Sequence, residues 1–565
     1  MSLSRLLKKA PSRGLFVFVL LLGLARAEQP PAAAVASAHP LATAAGVAIL
    51  QSGGNAFDAA VTVSAVLAVV EPYGSGIGGG GFWLLHRAAD GKQVLLDGRE
   101  KAPLAATRDM YLDADGEPVE GLSLNGPLAA GIPGEPAALV HLSENYGRLP
   151  LSVTLAPAIK LAREGFLVDE TYRRMAGFRL DVLREHEAAA RQFLVENEIP
   201  EFGYLLKQPD LADTLEAIAR DGFDGFYRGE IARRLVEGTR AAGGIWTEED
   251  LAAYRVLERE PVVGRYAGYR VVSAPPPSSG GVILIEMLNM LQQLQLPNYD
   301  SANQVHLMAE VMRRAYQDRA TYLGDTDFVS VPVQQLIDPG YATQRIRDID
   351  IHKAGQSKPI GETRGKGADT THFSILDAEG NRVAATLSVN YPFGACFVPP
   401  GTGVLLNNEM DDFSIKPGTP NAYGLVGNEA NAIAPGKRML SSMTPTFLER
   451  QDQVAILGTP GGSRIISMLM IGVLQAAGGA PVEQWVGRAR FHHQYLPDVI
   501  QFEPGALSEE TRDVLKRKGH KLKELDDVYG NMQAVTWDRR SGTVMAASDP
   551  RGIGTAHVWT MLTAE

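Results

Sequence analysis

A single cysteine, Cys396, stands in 565 residues. No internal disulfide can form, so packing alone must hold the chain even in an oxidising compartment. Cys396 reads as a small buried hydrophobe. Positive charge is also scarce, with 54 basic residues against 65 acidic ones. That balance makes nucleic acid a poor partner, because affinity there comes from neutralising phosphates. Beyond the first 27 residues no apolar run approaches the roughly 20 residues a membrane helix needs. Neither HExxH nor G-x-S-x-G occurs, which removes two common hydrolase signatures. His492-His493 is the one adjacent histidine pair, but neighbours in sequence do not share a helix face, so no metal is expected. Gly74, Gly76 and Gly79 spell G-x-G-x-x-G. A strand-like run follows them where a dinucleotide site needs a helix, and Pro72 breaks the preceding segment. No cofactor is expected.

What is present is an ordinary globular composition, 45% hydrophobic and 21% charged, with glycine enriched to 59 residues; the chain is long enough for one or two large cores. Residues 1–27 have the layout of a secretory signal: a basic start (Lys8, Lys9, Arg13), an apolar run from Leu15 to Leu24, and Ala25-Arg26-Ala27 as a small-x-small cleavage site. An uncleaved anchor is the alternative. Removal takes five basic residues and no acid, leaving 49 basic against 65 acidic, a net charge of −16. The expected location is periplasmic or secreted.

Leu41 to Val70 has helical periodicity interrupted at Gly53-Gly54-Asn55; Phe82 to His86 and Val94 to Asp97 read as strands; Pro150 to Leu323 reads as mostly amphipathic helix. Within it, Pro157 opens a helix that Gly165 stops, and Asn303 to Leu323 is another long periodic stretch. His352 to Asp369 is polar, charged and nearly free of large apolar side chains, the composition of an exposed linker. It ends where a strand begins, which places a boundary at 369/370.

That strand supports a register argument. Thr370 to Leu376 alternates, Asp377-Ala378-Glu379-Gly380-Asn381 is a five-residue turn, and Arg382 to Val389 is the return strand. Pairing Leu376 with Arg382 sets His372 opposite Thr386, Phe373 opposite Ala385, Ile375 opposite Val383, and Thr370 opposite Ser388. One face is apolar (Phe373, Ile375, Val383, Ala385, Leu387) and the other carries Thr370, Ser388, His372 and Thr386. Opposed residues lie about 4.5–5.5 Å apart at Cβ, within reach of a Ser388–Thr370 hydrogen bond, and Asn390 emerges beside them. A threonine-rich, half-buried hairpin has the same pattern without chemistry. The chemistry appears if the chain is cut before Thr370: the new α-amine, with a pKa near 7.7–8, can take the proton from its own hydroxyl.

QSGGNAFDAAV from Gln51, GGGGFWLL ending at Leu85, LDGREKAP around Arg99, DTTHFSILD, LLNNEMDDFS, RMLSSMTPT and GTPGGSRI together resemble the γ-glutamyltransferases (γ-glutamyl transpeptidases), members of the N-terminal-nucleophile hydrolases. The likeness runs from Ala36 to about Thr555. It implies an α/β, four-layer αββα sandwich cut from one precursor into a large subunit, 28–369, and a small catalytic subunit, 370–565, intertwined as one heterodimeric unit. It implies Thr370 as nucleophile, Ser388 as its supporting hydroxyl where many relatives carry threonine, and Gly461 and Gly462 as backbone donors to the oxyanion. Arg99, Ser441 and Ser442 match positions that hold the α-carboxylate of a γ-glutamyl group, and Asn390, Glu409 and Asp412 those that hold its α-amine. Pro417 to Asn428, with Tyr423, matches a lid loop present in some relatives.

The residue types suit those roles. A zwitterionic head group needs a fixed cation and fixed anions a few ångströms apart; arginine's fork suits a carboxylate, and adjacent glycines can present N–H groups with no Cβ in the way. The expected donor is glutathione or a related γ-glutamyl compound, and the acceptor water, an amino acid or a dipeptide. A cephalosporin or glutaryl acylase, or a polyglutamate-processing relative, is the alternative, weakened by Glu409 and Asp412, which a glutaryl group would leave without purpose. A binding protein that never matures is a third reading.

Overall fold

The computed structural model describes residues 29–296, 301–358 and 370–560; the signal segment and the 369/370 junction's upstream side lie outside them. Two antiparallel sheets stack face to face. The first has seven strands in the order Thr555–Thr560, Ala32–Ser37, Thr371–Leu376, Arg382–Ser388, Gly80–Arg87, Lys92–Gly98, Leu257–Arg259. The second has six: Thr543–Ser548, Gln533–Asp538, Gln453–Gly458, Thr446–Arg450, Tyr269–Ser273, Val262–Tyr266. Helices cover both outer faces. Pro40–Gln51, Ala56–Val70 and Glu135–Asn145 lie on the first sheet, and Gly280–Leu294, Ser301–Tyr322 and Ile465–Ala477 on the second. This is the expected four-layer αββα arrangement.

Ala56–Val70 is buried at every position, as a helix apolar all round must be. The Gly53-Gly54-Asn55 interruption is its start: Asn55 caps the helix and Asp58 reaches back to the Asn55 N–H, a capping box. The expected helix stopped by Gly165 is Ala156–Glu164, with Gly165 at φ 101°. The reading of 150–323 as helix was incomplete. Val262–Tyr266 and Tyr269–Ser273 form a hairpin there, turned by Ala267 and Gly268, both at positive φ; alanine in place of the usual asparagine or glycine hid the turn.

The central hairpin has the expected register, Arg382 against Leu376 through Leu387 against Thr371. Asp377 ties its turn down, accepting the N–H groups of Glu379 and Asn381 through Oδ1 and that of Ala56, at the start of the buried helix, through Oδ2. Neither face is open to solvent. Phe373, Ile375, Val383, Ala385 and Leu387 join the core beneath the first helical layer, while His372 and Thr386, fully buried, hydrogen-bond each other between the sheets at 2.8 Å. Gly458 lets the sheets approach closely here, since a Cβ there would sit 2.1 Å from His372 Cε1. Gly458→Ala is therefore expected to force the sheets apart and cost about 1–3 kcal/mol; an unchanged denaturation midpoint would contradict this packing.

Candidate active site

Thr370 sits immediately before the Thr371–Leu376 strand, and Ser388 ends the partner strand. Ser388 Oγ accepts the Asn390 N–H at 2.7 Å, which holds Asn390 at φ 75° with its side chain donating to Asn408 O at 2.9 Å. The glycine run explains itself here. A Cβ on Gly79 would lie 2.2 Å from Ser388 O, and one on Gly78 2.0 Å from Leu405 O. The glycines allow backbone to press against backbone, with no phosphate required.

Arg99 follows the Lys92–Gly98 strand, its N–H held by Asp97 Oδ1 at 2.9 Å. Its guanidinium meets Glu409 at 2.5 Å and Asp412 at 2.6 Å, the two acids spaced across a single 3₁₀ turn, Glu409–Asp412. Glu100 adds a third carboxylate 3.4 Å from Arg99. Three acids around one buried cation cannot all ionise cheaply. Burial pushes the Glu409 carboxyl up to about 7 against the pull of Arg99. Burial, with Glu409 beside it, holds Glu100 well above the usual carboxylate range.

On the facing wall, Ser441 Oγ accepts the Met443 N–H at 3.1 Å and Ser442 Oγ accepts Arg319 Nη2 at 3.2 Å. Gly461 and Gly462 adopt φ of 140° and 54° at the entry to the Ile465–Ala477 helix. A Cβ on Gly462 would lie 2.4 Å from the Tyr423 ring. Tyr423 belongs to the Pro417 to Asn428 loop, which here closes over the site: its hydroxyl donates to Asn390 O, and Gln494 Nε2 donates to Tyr423 O at 3.1 Å.

Arg99, Thr370, Ser388, Asn390, Glu409, Asp412, Tyr423, Ser441, Ser442 and Gly462 line one small polar cavity. Gly461 lines a second, wider cleft, walled by Tyr73, Met175, Phe178 and Tyr529 among others. Thr370 belongs to both. A hydroxyl between a small charged chamber and a wide amphipathic cleft can take an acyl group on one side and release or accept an amine on the other.

A family model described as Gamma-glutamyltranspeptidase matches residues 42–559. The chain belongs to that family. It is 44% identical over 530 residues to the glutathione hydrolase proenzyme of Escherichia coli (strain K12), covering 92% of this chain and 90% of that one. It is 45% identical over 495 residues to the glutathione hydrolase proenzyme of Pseudomonas sp. (strain A14), covering 86% of each. Among solved structures it is similar to cephalosporin acylase from Bacillus halodurans, with a TM-score of 0.80 at 28% identity over 99% of both chains. The fold is thus that of the N-terminal-nucleophile hydrolases, and the chain is an enzyme of the transpeptidase family.

Glu100, Arg319 and Glu71, three charged groups at or near this site, were not picked out from sequence. The Glu71 carboxyl, pushed up to about 7 by burial, accepts the Thr371 hydroxyl at 2.8 Å and lines the wider cleft beside Thr370. The available signal for Arg319 was charge density: the Ser301–Tyr322 helix buries His306, Glu310, Arg313, Arg314, Asp318 and Arg319, more charge than one solvent-facing stripe would carry. His492 and His493 are buried and hydrogen-bonded, to Ser467 and Gln494 and to Asp498 respectively. His306, Glu310 and His520 bring ligand-type atoms within 4.8 Å of one another. There the two histidines bond each other at 2.7 Å and Glu310 is held by Arg313 and Arg314, so the group satisfies itself. Cys396 is buried, its thiol pushed up to about 11. Among the described residues no helix is long and apolar enough to cross a membrane.

Proposed function

We propose that the chain is exported, cuts itself between Asp369 and Thr370 into subunits 28–369 and 370–565, and then hydrolyses or transfers γ-glutamyl groups from glutathione or a related γ-glutamyl compound. The observation that carries this reading is the charged chamber opening onto Thr370. Its arginine and paired acids complement an amino acid's carboxylate and ammonium at one end, and the nucleophile stands at the other. "Proenzyme" in the names of the relatives supports the scission.

The Thr370 amine, freed by the cut, takes the hydroxyl proton as Oγ attacks the γ-carbonyl. Ser388 steadies that hydroxyl, and the N–H groups of Gly461 and Gly462 hold the developing oxyanion, where each such donor is worth about 3–4 kcal/mol of barrier. The Thr370 ammonium then returns the proton to the departing amine. A γ-glutamyl ester on Thr370 remains, and water, an amino acid or a dipeptide entering by the wide cleft takes the acyl group. Arg99, Ser441 and Ser442 hold the donor's α-carboxylate; Asn390, Glu409 and Asp412 hold its α-ammonium. Tyr423 covers the chamber and excludes water from the intermediate.

Steady-state turnover of a γ-glutamyl p-nitroanilide, with and without glycylglycine, tests the reading. Release of nitroaniline, stimulated by the dipeptide, is expected; no release overturns it. The structural likeness to an acylase favours glutaryl amides as a second substrate class, and equal turnover of glutaryl p-nitroanilide would assign the chain to it.

Glu409 must be ionised to hold an ammonium, so kcat/KM for the donor is expected to rise with pH through about 7. Its folded pKa is raised, so its contribution to stability runs the other way: present in full below the unfolded value of 4.5 and lost as pH rises through about 7. A pH profile flat between about 5.5 and 7.5, the window set by that one titration, would show that Glu409 does not govern donor capture.

A further inference from the structure

The positive charge available to a substrate carboxylate does not come from Arg99 alone. Arg99 is already met by Glu409 and Asp412 at 2.5 and 2.6 Å, with Glu100 at 3.4 Å. A second arginine lies behind the serine wall. Arg319 is 5% exposed and, among the described residues, has no acid within 4.0 Å; Asp412 acts on its charge from farther away. Its Nε donates to Ser279 Oγ at 3.0 Å and its Nη2 to Ser442 Oγ at 3.2 Å. A buried cation bonded only to hydroxyls is costly unless an anion completes it.

Its hydrogen bonds also set polarity. A serine hydroxyl has one proton and two lone pairs. Arg319 fills a lone pair of Ser442, so the Ser442 proton is left to point elsewhere, and Ser442 lines the chamber. Arg319 likewise fills a lone pair of Ser279, whose proton goes to Ser441 O at 2.7 Å; the Ser279 N–H meets the same carbonyl at 2.8 Å. That anchors the backbone from which Ser441, its own Oγ accepting from Met443, faces the chamber. Both serines are thereby preset as donors to an anion.

We propose that Arg319 is a positioning residue for donor recognition, orienting the Ser441–Ser442 hydroxyls and supplying positive charge, neutralised by no direct ion pair, that selects substrates bearing an α-carboxylate. This rests on the γ-glutamyl reading, and the test separates the two. Three p-nitroanilides are compared: γ-glutamyl, 4-aminobutyryl (the same acyl group without its carboxylate) and glutaryl (without its amine). No turnover of the γ-glutamyl compound by the wild type would sink the functional reading itself.

If the wild type is active, Arg319→Gln is expected to lower kcat/KM for the γ-glutamyl and glutaryl compounds by about 10–100-fold, the loss of one or two charge-assisted hydrogen bonds, and mainly through KM. The 4-aminobutyryl compound, followed as a competitive inhibitor if its turnover is too slow, changes by less than about 2-fold, the ordinary scatter of a site away from its contacts. The inference is overturned if all three change equally or none does. Arg319→Lys keeps the charge but not the fork, and is expected to fall between wild type and glutamine on the same ratio. Should the glutamine variant fail to yield two subunits, the lysine variant carries the test, and an unaltered substrate ratio in it refutes the proposal.

Discussion

Thr370→Ala is expected to leave one band of precursor length on a denaturing gel and to lower γ-glutamyl p-nitroanilide turnover by at least about 10⁴-fold, the scale seen when a covalent nucleophile is removed. Both effects have one cause. The same hydroxyl opens the preceding peptide bond and later carries the acyl group, and alanine has none. Thr370→Ser separates a structural need for threonine from a chemical one. It keeps hydroxyl and amine and loses only the methyl that restricts χ1, so two bands should still form, with slower turnover. N-terminal sequencing of the smaller wild-type fragment should begin Thr370-Thr371-His372. Activity in uncut material, or in the alanine variant, would overturn the mechanism.

Arg99→Gln is expected to lower donor kcat/KM by about 10²–10³-fold, as for truncating one member of a buried charge set, and to destabilise the fold by up to about 3–5 kcal/mol. Glu409 and Asp412 lose the cation that both contact, and Glu100 loses its neighbour. The stability loss should depend on pH. Without Arg99 the Glu409 and Glu100 carboxyls rise further; protonation relieves them at low pH, so the deficit against wild type grows from pH 6 to pH 8. Arg99→Lys restores charge without the two-pronged geometry and should recover stability better than activity. A glutamine variant with unchanged KM would show that donor recognition lies elsewhere.

Local elements were legible where one short stretch decided them. The hairpin register followed from a single turn, because strand pairing from a known turn has one free parameter and the apolar face set it. Gly165 bounded one helix, and the Gly53-Gly54-Asn55 interruption marked the start of another, through local chemistry confined to a few residues. The Ala267-Gly268 hairpin was missed because its turn lacks the usual residues. The hairpin's polar face was legible as polar, but not as buried, since burial depended on a second sheet whose strands lie far upstream (Val262–Tyr266, Tyr269–Ser273) and far downstream (from Thr446–Arg450 to Thr543–Ser548).

The candidate site divides in the same way. Its residues could be named from motifs, each a short run with its own spacing. That Arg99 is shared between Glu409 and Asp412, over 300 positions away, could not be read from any of them, nor could the partnership of Arg319 with Ser442 across 123 positions. By itself the order of amino acids determined the strands, caps, glycine approaches and the place where a threonine follows a polar linker, because those depend on backbone preferences acting over a few residues. Only the tertiary structure decided which charges face one another, and hence which carboxyls are pushed upward and where a cation sits with no direct ion pair. Electrostatic energy depends on distance and burial in space, and separation along the chain carries almost no information about either.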